Sequence, residues 1–495
     1  MMGRRRAHPE TFRGSQDGSA KGSSGCMAAM THALEVPVSA PSTVRPRLLA
    51  PGWPVVALFG GWPLWWALGV SWAVYILLAI PMAVSLLRRR RLVMPKGFGL
   101  WILFLLWMIV GVVALGAHAP GTASGSLSGR TTAYAHRVGD FAAATILFLY
   151  ICNLPPGALT MRRMARVLGW FFVVCVIGGM LGVLFPFGGF ASPAGMLLPH
   201  SITANSYVHD LVNPIFAQNM NVLGYSSPRP AAPFTYTNEW GANMSFLLPF
   251  FFVGWVLQGR PWQRVVAPFV LLVALVPIVV SLNRGLWLAL ALSAMYVAAW
   301  LTVQGRVWAL QALVAVLAVV ALVFVATPLN TIVAERFAHG HSNGRRAYLA
   351  RSALQGAAAS PIIGWGAPRN GQGTDASIAA GSSQSCSSCG APDIGTHGLL
   401  YLIVFSHGIP AVALFCGFFA TMWWRFRRYR QPFVVATGLL IALVFPEMTY
   451  YSLLSMPLYL VLAVIAVAWR QTRPDVTGQL PMPPLTPPRS ANALS

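Results

Sequence analysis

The sequence predicts an all-α fold, a polytopic transmembrane bundle of about twelve spans with a helical subdomain in an extracytoplasmic loop. The 495 residues are 56% hydrophobic and 9% charged, which is too little charge to cover a soluble protein of this length. Apolar runs of about 20 residues, enough to cross a bilayer, recur along the chain. Basic residues cluster in short segments beside those runs, as they do in membrane proteins.

Residues 48–473 hold all of the apolar runs and form the predicted membrane domain. Residues 1–47 are rich in Gly, Ser and Arg, and residues 474–495 are rich in Pro, so neither tail has the apolar content to fold alone. The basic opening resembles the start of a signal peptide, but no apolar segment follows within range. We therefore expect two disordered cytoplasmic tails.

Hydropathy divides the membrane domain into its spans. They lie near residues 54–68, 69–87, 98–116, 136–155, 167–187, 239–257, 265–283, 285–303, 307–326, 397–421, 433–447 and 452–469. The run Arg88–Arg91 and the basic residues between 425 and 430 fall on one side of this arrangement, which the positive-inside rule makes cytoplasmic. Both termini are then cytoplasmic. The same clustering argues against nucleic acid binding, despite a net charge of +23.

Nine of the 34 basic residues fall outside the membrane in this topology and need another explanation. They are Arg130, Arg137, Arg229, Arg284, Arg336, Arg345, Arg346, Arg351 and Arg369. The two long outer loops, about 188–238 and about 327–396, are of a length that usually marks function or disorder. The second contains a helical pattern that ends at Ser360-Pro361, which predicts an ordered subdomain.

Arginines in these regions are the first candidates for binding. Arg284 lies between two apolar runs, where a guanidinium is costly unless it is paired or faces a cavity or an anion. An arginine that snorkels to the membrane surface is the alternative. Arg229 lies just before the sixth span and could instead be an ordinary loop residue.

Two further features sit in the second outer loop and just after it. Arg345 and Arg346 begin the loop helix, whose positive end favours an anion, and a solvated helix face is the alternative. His397 opens the tenth span and can act as a general base near neutral pH. A structural histidine is the alternative there.

Several arginines around a cavity at the membrane edge suit a pyrophosphate, because guanidinium forks pair with phosphate oxygens and stay charged when desolvated. A lipid-linked sugar presents such a group at this depth. The arginines would stabilise the departing lipid pyrophosphate without a metal or other cofactor, and His397 would deprotonate an acceptor hydroxyl. The sequence shows no Walker A, GxGxxG or Asp-x-Asp motif for a nucleotide.

Three motifs, in order, resemble the O-antigen ligase and O-antigen polymerase superfamily of bacterial membrane glycosyltransferases. They are Arg229 with its Pro-Phe-Thr-x-x-Asn surroundings, the Ser281-Leu282-Asn283-Arg284 turn, and the stretch from Arg346 through Pro361, Gly364 and Gly366 to His397 and Gly408-Ile409-Pro410. The resemblance implies that Arg229, Arg284 and Arg346 (or Arg345) bind a pyrophosphate and that His397 lies near the acceptor. The chain departs from the family at Gly398, where Asn is usual, and at Ser406, where an acidic residue is common.

The resemblance implies a glycosyltransferase of cell-envelope polysaccharide biosynthesis in the bacterial inner or plasma membrane. It would move a glycan from undecaprenyl pyrophosphate, on the extracytoplasmic face, to a glycan, lipid or protein acceptor. A polymerase and a ligase both fit this description. The alternative is a multi-pass transporter or flippase for a lipid-linked or anionic substrate. Membrane lipids are partners under either hypothesis.

Several other residues carry weaker predictions. Asp140, Glu239 and Glu447 fall near outer ends of spans and are possible counter-charges for the arginines. Cys386 and Cys389 are disulfide candidates in an oxidising compartment. A zinc half-site with a nearby histidine is a lesser alternative, since no second Cys pair exists, and we predict no metal.

Overall fold

The computed structural model describes residues 50–122, 126–155, 157–203, 206–221, 226–311, 313–315, 318, 341–371 and 393–473. Both tails predicted as disordered lie outside these residues, as do Cys386, Cys389 and most of the predicted ninth span. The described part is mostly helical, which confirms the main feature of the predicted fold class. The helices are α1 (Trp53–Gly60), α2 (Trp62–Ala67), α3 (Val74–Leu87), α4 (Phe98–Val110), α5 (Leu127–Cys152), α6 (Met161–Leu184), α7 (Pro193–Leu197), α8 (His200–Thr203), α9 (Ser206–Val212), α10 (Thr237–Phe251), α11 (Pro261–Val280), α12 (Arg284–Val303), α13 (His341–Ala359), α14 (Leu399–Phe426), α15 (Pro432–Glu447) and α16 (Met456–Gln471).

Six of the described helices are long and apolar enough to cross a membrane: α5, α6, α10 with its π-helical extension to Leu257, α11, α12 and α14. Four shorter apolar helices, α3, α4, α15 and α16, coincide with other predicted spans. The total of about twelve spans stays a prediction. The first apolar stretch, expected as two spans, begins instead as the short helices α1 and α2, which are separated at Gly61.

Helix α16 forms the centre of the bundle, since every residue from Met456 to Arg470 is buried. Helices α11 and α12 lie at its margin, where 22% and 17% of their apolar windows are buried. Apolar side chains left exposed on such helices suit contact with lipid. Helix α16 is therefore enclosed by protein, whereas α11 and α12 lie at the edge of the bundle.

Helix α14 is broken at Gly408, whose φ of 76° and ψ of −177° are not helical. The segment that follows α13 fills the break. Trp365 N–H donates to the Phe405 carbonyl (3.0 Å), and Ile409 N–H donates to the Pro361 carbonyl (2.8 Å). Backbone groups freed by a break within an apolar helix need such partners, because lipid offers none.

Two small antiparallel pairs were not predicted. Strands β1 (Ala217–Asn221) and β2 (Ser226–Pro230) form a hairpin in the first of the two long loops predicted to lie outside, and β3 (Arg369–Asn370) pairs with β4 (Asp393–Ile394). The hairpin sequence lacks the alternation of apolar and polar residues that marks a strand. It is held instead by its contacts with α6 and α10.

Candidate functional site

The hairpin positions Arg229 at the end of α11. Arg229 lies opposite Gln218 in the strand pair, and its side chain is buried at 3% exposure. Its Nε–H donates to the Ser281 carbonyl at 2.6 Å, while the Thr237 hydroxyl donates to the Arg229 carbonyl at 3.3 Å. The arginine therefore connects the β1–β2 hairpin to the turn between α11 and α12.

That turn places Arg284 as the first residue of α12. Asn283 is the N-cap, and its Oδ1 accepts from Leu286 N–H at 3.3 Å. Leu282 has a positive φ of 48°, which makes the reversal of the chain tight. The N-terminus of a helix carries about half a positive elementary charge, so an arginine here adds charge of the same sign.

Arg346, in the first half of α13, lies close enough to Arg284 for its charge to act on that guanidinium. The side chain of Arg346 is half-buried. Arg345 belongs to the same helix, but its side chain lies outside the described residues. The structure thus joins two of the three predicted pyrophosphate-binding arginines through a shared turn and brings the third to their vicinity.

Asn283 also connects this turn to the segment between α15 and α16. The Tyr451 hydroxyl donates to Asn283 Oδ1 at 2.7 Å, and Asn283 Nδ2 donates to the Thr237 carbonyl at 3.3 Å. Burial raises the pKa of Tyr451 well above its ordinary value, so the phenol keeps its proton and remains a donor. Cβ atoms added at Gly241 or Gly285 would lie within 3.0 Å of the Tyr451 hydroxyl, so both glycines make room for it.

The same segment docks the start of α14 and hence His397. The Tyr451 carbonyl accepts from Leu399 N–H at 2.9 Å, and the Met448 carbonyl accepts from Leu400 N–H at 2.8 Å. His397 lies two residues before Leu399, is exposed, and has its Nδ1 3.2 Å from the Thr396 hydroxyl. One chain of hydrogen bonds therefore runs from the Arg229–Arg284 turn to the segment that carries the candidate base.

The possible counter-charges differ in their surroundings. Glu447 is fully buried, and its Oε1 accepts from the Ser245 hydroxyl at 2.7 Å, whereas its Oε2 has no hydrogen-bond partner among the described residues. Asp140 is buried beside His136, whose Nδ1 lies 3.3 Å away. Glu239 is half-buried in the first turn of α10. A counter-charge role for each stays a prediction.

Two residues of this network were not singled out by sequence. Asn283 was quoted within its motif but given no role, although an asparagine just before an apolar helix is a recognisable N-cap signal. Tyr451 carries no local signal, because its partner is 168 residues away in the chain. Among the described residues there is no group of three or more His, Cys, Asp or Glu that could hold a metal ion.

A comparison with known protein families gives a match in the same part of the chain. Residues 278–416 match the family model described as O-antigen ligase. The match contains Arg284, Arg346, His397 and Gly408, while Arg229 precedes it. It confirms the resemblance to the O-antigen ligase and polymerase superfamily. No curated protein matches the chain.

Proposed function

We propose that this chain, whose residues 278–416 match the family model described as O-antigen ligase, transfers a glycan from a polyprenyl pyrophosphate to an acceptor hydroxyl outside the cytoplasm. The observation that carries the proposal is the turn at Ser281–Arg284. Arg229 is hydrogen-bonded to this turn, which carries Arg284, and the turn is connected through Asn283 and Tyr451 to the segment that holds His397.

The proposed reaction is a single displacement at the anomeric carbon of the donor sugar. The acceptor oxygen forms a bond to that carbon, with inversion, as the bond to the pyrophosphate oxygen breaks. Negative charge then grows on the lipid pyrophosphate. Arg229, Arg284 and Arg346, with the N-terminus of α12, would stabilise that charge, so a metal ion is not needed for this role.

His397 would take the proton of the acceptor hydroxyl. Its exposed position and its place at the start of α14 support this role, because a bulky acceptor must reach the base from outside the bundle. The acceptor class follows from which molecule docks there: another glycan for a polymerase, a lipid or a protein for a ligase.

The test uses the full-length protein in liposomes with a radiolabelled polyprenyl-pyrophosphate glycan and candidate acceptors. We expect transfer or lengthening of the glycan, and a fall of about a hundredfold or more in Arg284→Lys, Arg346→Lys and His397→Ala. Lysine keeps the charge but loses the fork, which makes it the sharper probe of phosphate binding.

Arg264→Lys is the matched control, since Arg264 lies near the opposite end of α11 and donates to a main-chain carbonyl (Leu257, 3.2 Å). Full activity of all three site variants at normal expression would contradict the site. Movement of the labelled donor across the bilayer without transfer would instead indicate a transporter.

A further inference from the structure

A second group of arginines lies where α4 ends. After α4 a 3-10 turn, Gly111–Ala114, continues to Leu115. The Leu115 carbonyl accepts from two guanidinium groups, Arg130 Nη1 at 3.3 Å and Arg369 Nη2 at 3.2 Å. Two like charges therefore converge on one uncharged oxygen.

Arg369 is held firmly in this position. Its Nη1 donates to the Ala367 carbonyl and its Nη2 donates to the Trp365 carbonyl, both at 2.7 Å. The side chain is buried at 3% exposure, yet its Nε has no hydrogen-bond partner among the described residues. Burial and the charge of Arg130 lower the pKa of Arg369 to about 10, which still leaves the group charged at neutral pH.

Positive charge here exceeds what the surrounding groups offset. The C-terminal end of a helix contributes about half a negative charge. Among the described residues, neither Arg130 nor Arg369 pairs with a carboxylate. Arg137, two turns later on α5, does have a carboxylate partner, because its charge acts on Asp140, which also lies beside His136. Like charges gathered in this way repel one another unless an anion joins them.

We propose that Arg130 and Arg369 form a second anion site that takes a phosphate group. Guanidinium groups offer forked donors that match phosphate oxygens and are less strongly hydrated than an ammonium. A phosphate between Arg130 and Arg369 would offset both charges. Such a group could come from a phospholipid headgroup or from a phosphate in the aqueous phase. This site is independent of the proposed glycan transfer.

The test measures binding of two probes to the purified full-length protein. Inorganic phosphate is titrated in detergent, and nanodiscs of phosphatidylglycerol are compared with nanodiscs of phosphatidylcholine, with the thermal unfolding temperature as the readout. Arg130→Gln removes one charge from a half-buried side chain that makes one hydrogen bond among the described residues, so the variant should fold. We expect it to weaken binding about tenfold.

Two further variants separate this site from its surroundings. Arg264→Gln removes the same charge from an arginine that also donates to one carbonyl, and it should bind both probes as the wild type does. Arg346→Gln removes a charge from the proposed pyrophosphate site. It should not weaken the binding of phosphate at Arg130 and Arg369. A response to phosphatidylglycerol alone would identify a lipid headgroup, and a response to inorganic phosphate as well would identify a free phosphate group. Equal binding of both probes by wild type and Arg130→Gln would overturn the proposal.

Discussion

Arg229 and Arg369 are buried to the same extent, at 3% exposure, and both donate to main-chain carbonyl groups. Their neighbours differ. Arg229 contacts the turn that holds Asn283, and Asn283 accepts a hydrogen bond from the Tyr451 hydroxyl. The Tyr451 carbonyl in turn accepts from Leu399 N–H, two residues after His397. Around Arg369, the hydrogen-bond acceptors among the described residues are main-chain carbonyl groups, and the charge of Arg130 acts on its guanidinium.

Burial alone therefore does not distinguish Arg229, which we propose takes part in glycan transfer, from Arg369, which we propose binds a separate phosphate group. A polar network of side chains can hold several groups at fixed separations, which transfer chemistry requires. Main-chain carbonyl groups around a guanidinium hold that one side chain in place. They also connect the helices and turns to which the carbonyl groups belong. Substitutions around Arg229 should therefore lower transfer activity, whereas substitutions around Arg369 should lower stability or phosphate binding.

The largest effect is expected at Gly408, where α14 breaks and the segment leading to Arg369 packs. An alanine there would need a positive φ, and its Cβ would clash with the Ile362 carbonyl. We expect Gly408→Ala to lower the free energy of unfolding by about 3 kcal/mol, from backbone strain and overpacking together. Thermal unfolding in detergent measures it.

Gly417→Ala is the control on the same helix, because its Cβ would make an ordinary 3.5 Å contact with Leu100. This variant should be neutral or stabilising by up to about 1 kcal/mol. Equal stability of the Gly408 and Gly417 variants would show that the break does not depend on glycine.

Arg229→Lys tests the first region directly. Lysine keeps the charge but loses both the fork and the Nε–H that donates to the Ser281 carbonyl. We expect glycan transfer to fall about a hundredfold, because a displaced donor at the reacting group costs that much in comparable sites. The measurement is the transfer rate at saturating donor, normalised to folded protein. A transfer rate equal to that of Arg264→Lys would show that Arg229 does not belong to the site.

Sequence alone predicted much of the helical frame and the residue types of the site. The loop helix α13 ends at Ala359, just before Ser360-Pro361, as the pattern indicated. The break at Gly408 was not predicted, since hydropathy is continuous across it, although Gly408-Ile409-Pro410 was recognised as a motif. A break of this kind depends on a segment from elsewhere in the chain filling it, which a local pattern cannot show.

The nine arginines that oppose the positive-inside rule were identified together, but sequence could not divide them into groups. Arg130 and Arg369 are 239 positions apart and meet at Leu115. Arg229 reaches the Ser281 carbonyl from a hairpin whose sequence lacked a strand pattern. The grouping depends on tertiary packing, and the structure supplies it for the described residues.

Tyr451→Phe should have a smaller effect than Arg229→Lys. The variant removes the hydroxyl that donates to Asn283 and leaves the ring to pack. One lost hydrogen bond is worth about 1 kcal/mol, so we expect a fall of about five- to tenfold in transfer if the bond aligns the turn with His397.

Tyr134→Phe is the control and removes a comparable hydroxyl, which is bonded to the Met108 carbonyl at 3.0 Å on the helix that ends near Arg130 and Arg369. Transfer should stay within about twofold there. Equal losses in the two variants would contradict a specific alignment role for Tyr451.

Ser245→Ala should give the smallest effect and tests how Glu447 supports the first region. The Ser245 hydroxyl is the donor to Glu447 Oε1, and its loss leaves a buried carboxyl group with one contact fewer. We expect Ser245→Ala to lower the free energy of unfolding by about 1 kcal/mol. Ser293→Ala is the control and should lower it by less, because the Ser293 hydroxyl bonds only within its own helix among the described residues, to the Ala289 carbonyl at 2.8 Å. A double-mutant cycle with Glu447→Gln measures the coupling between the two side chains. Coupling near zero would mean that Ser245 does not hold Glu447, and the contrast would then rest on Asn283 and Tyr451.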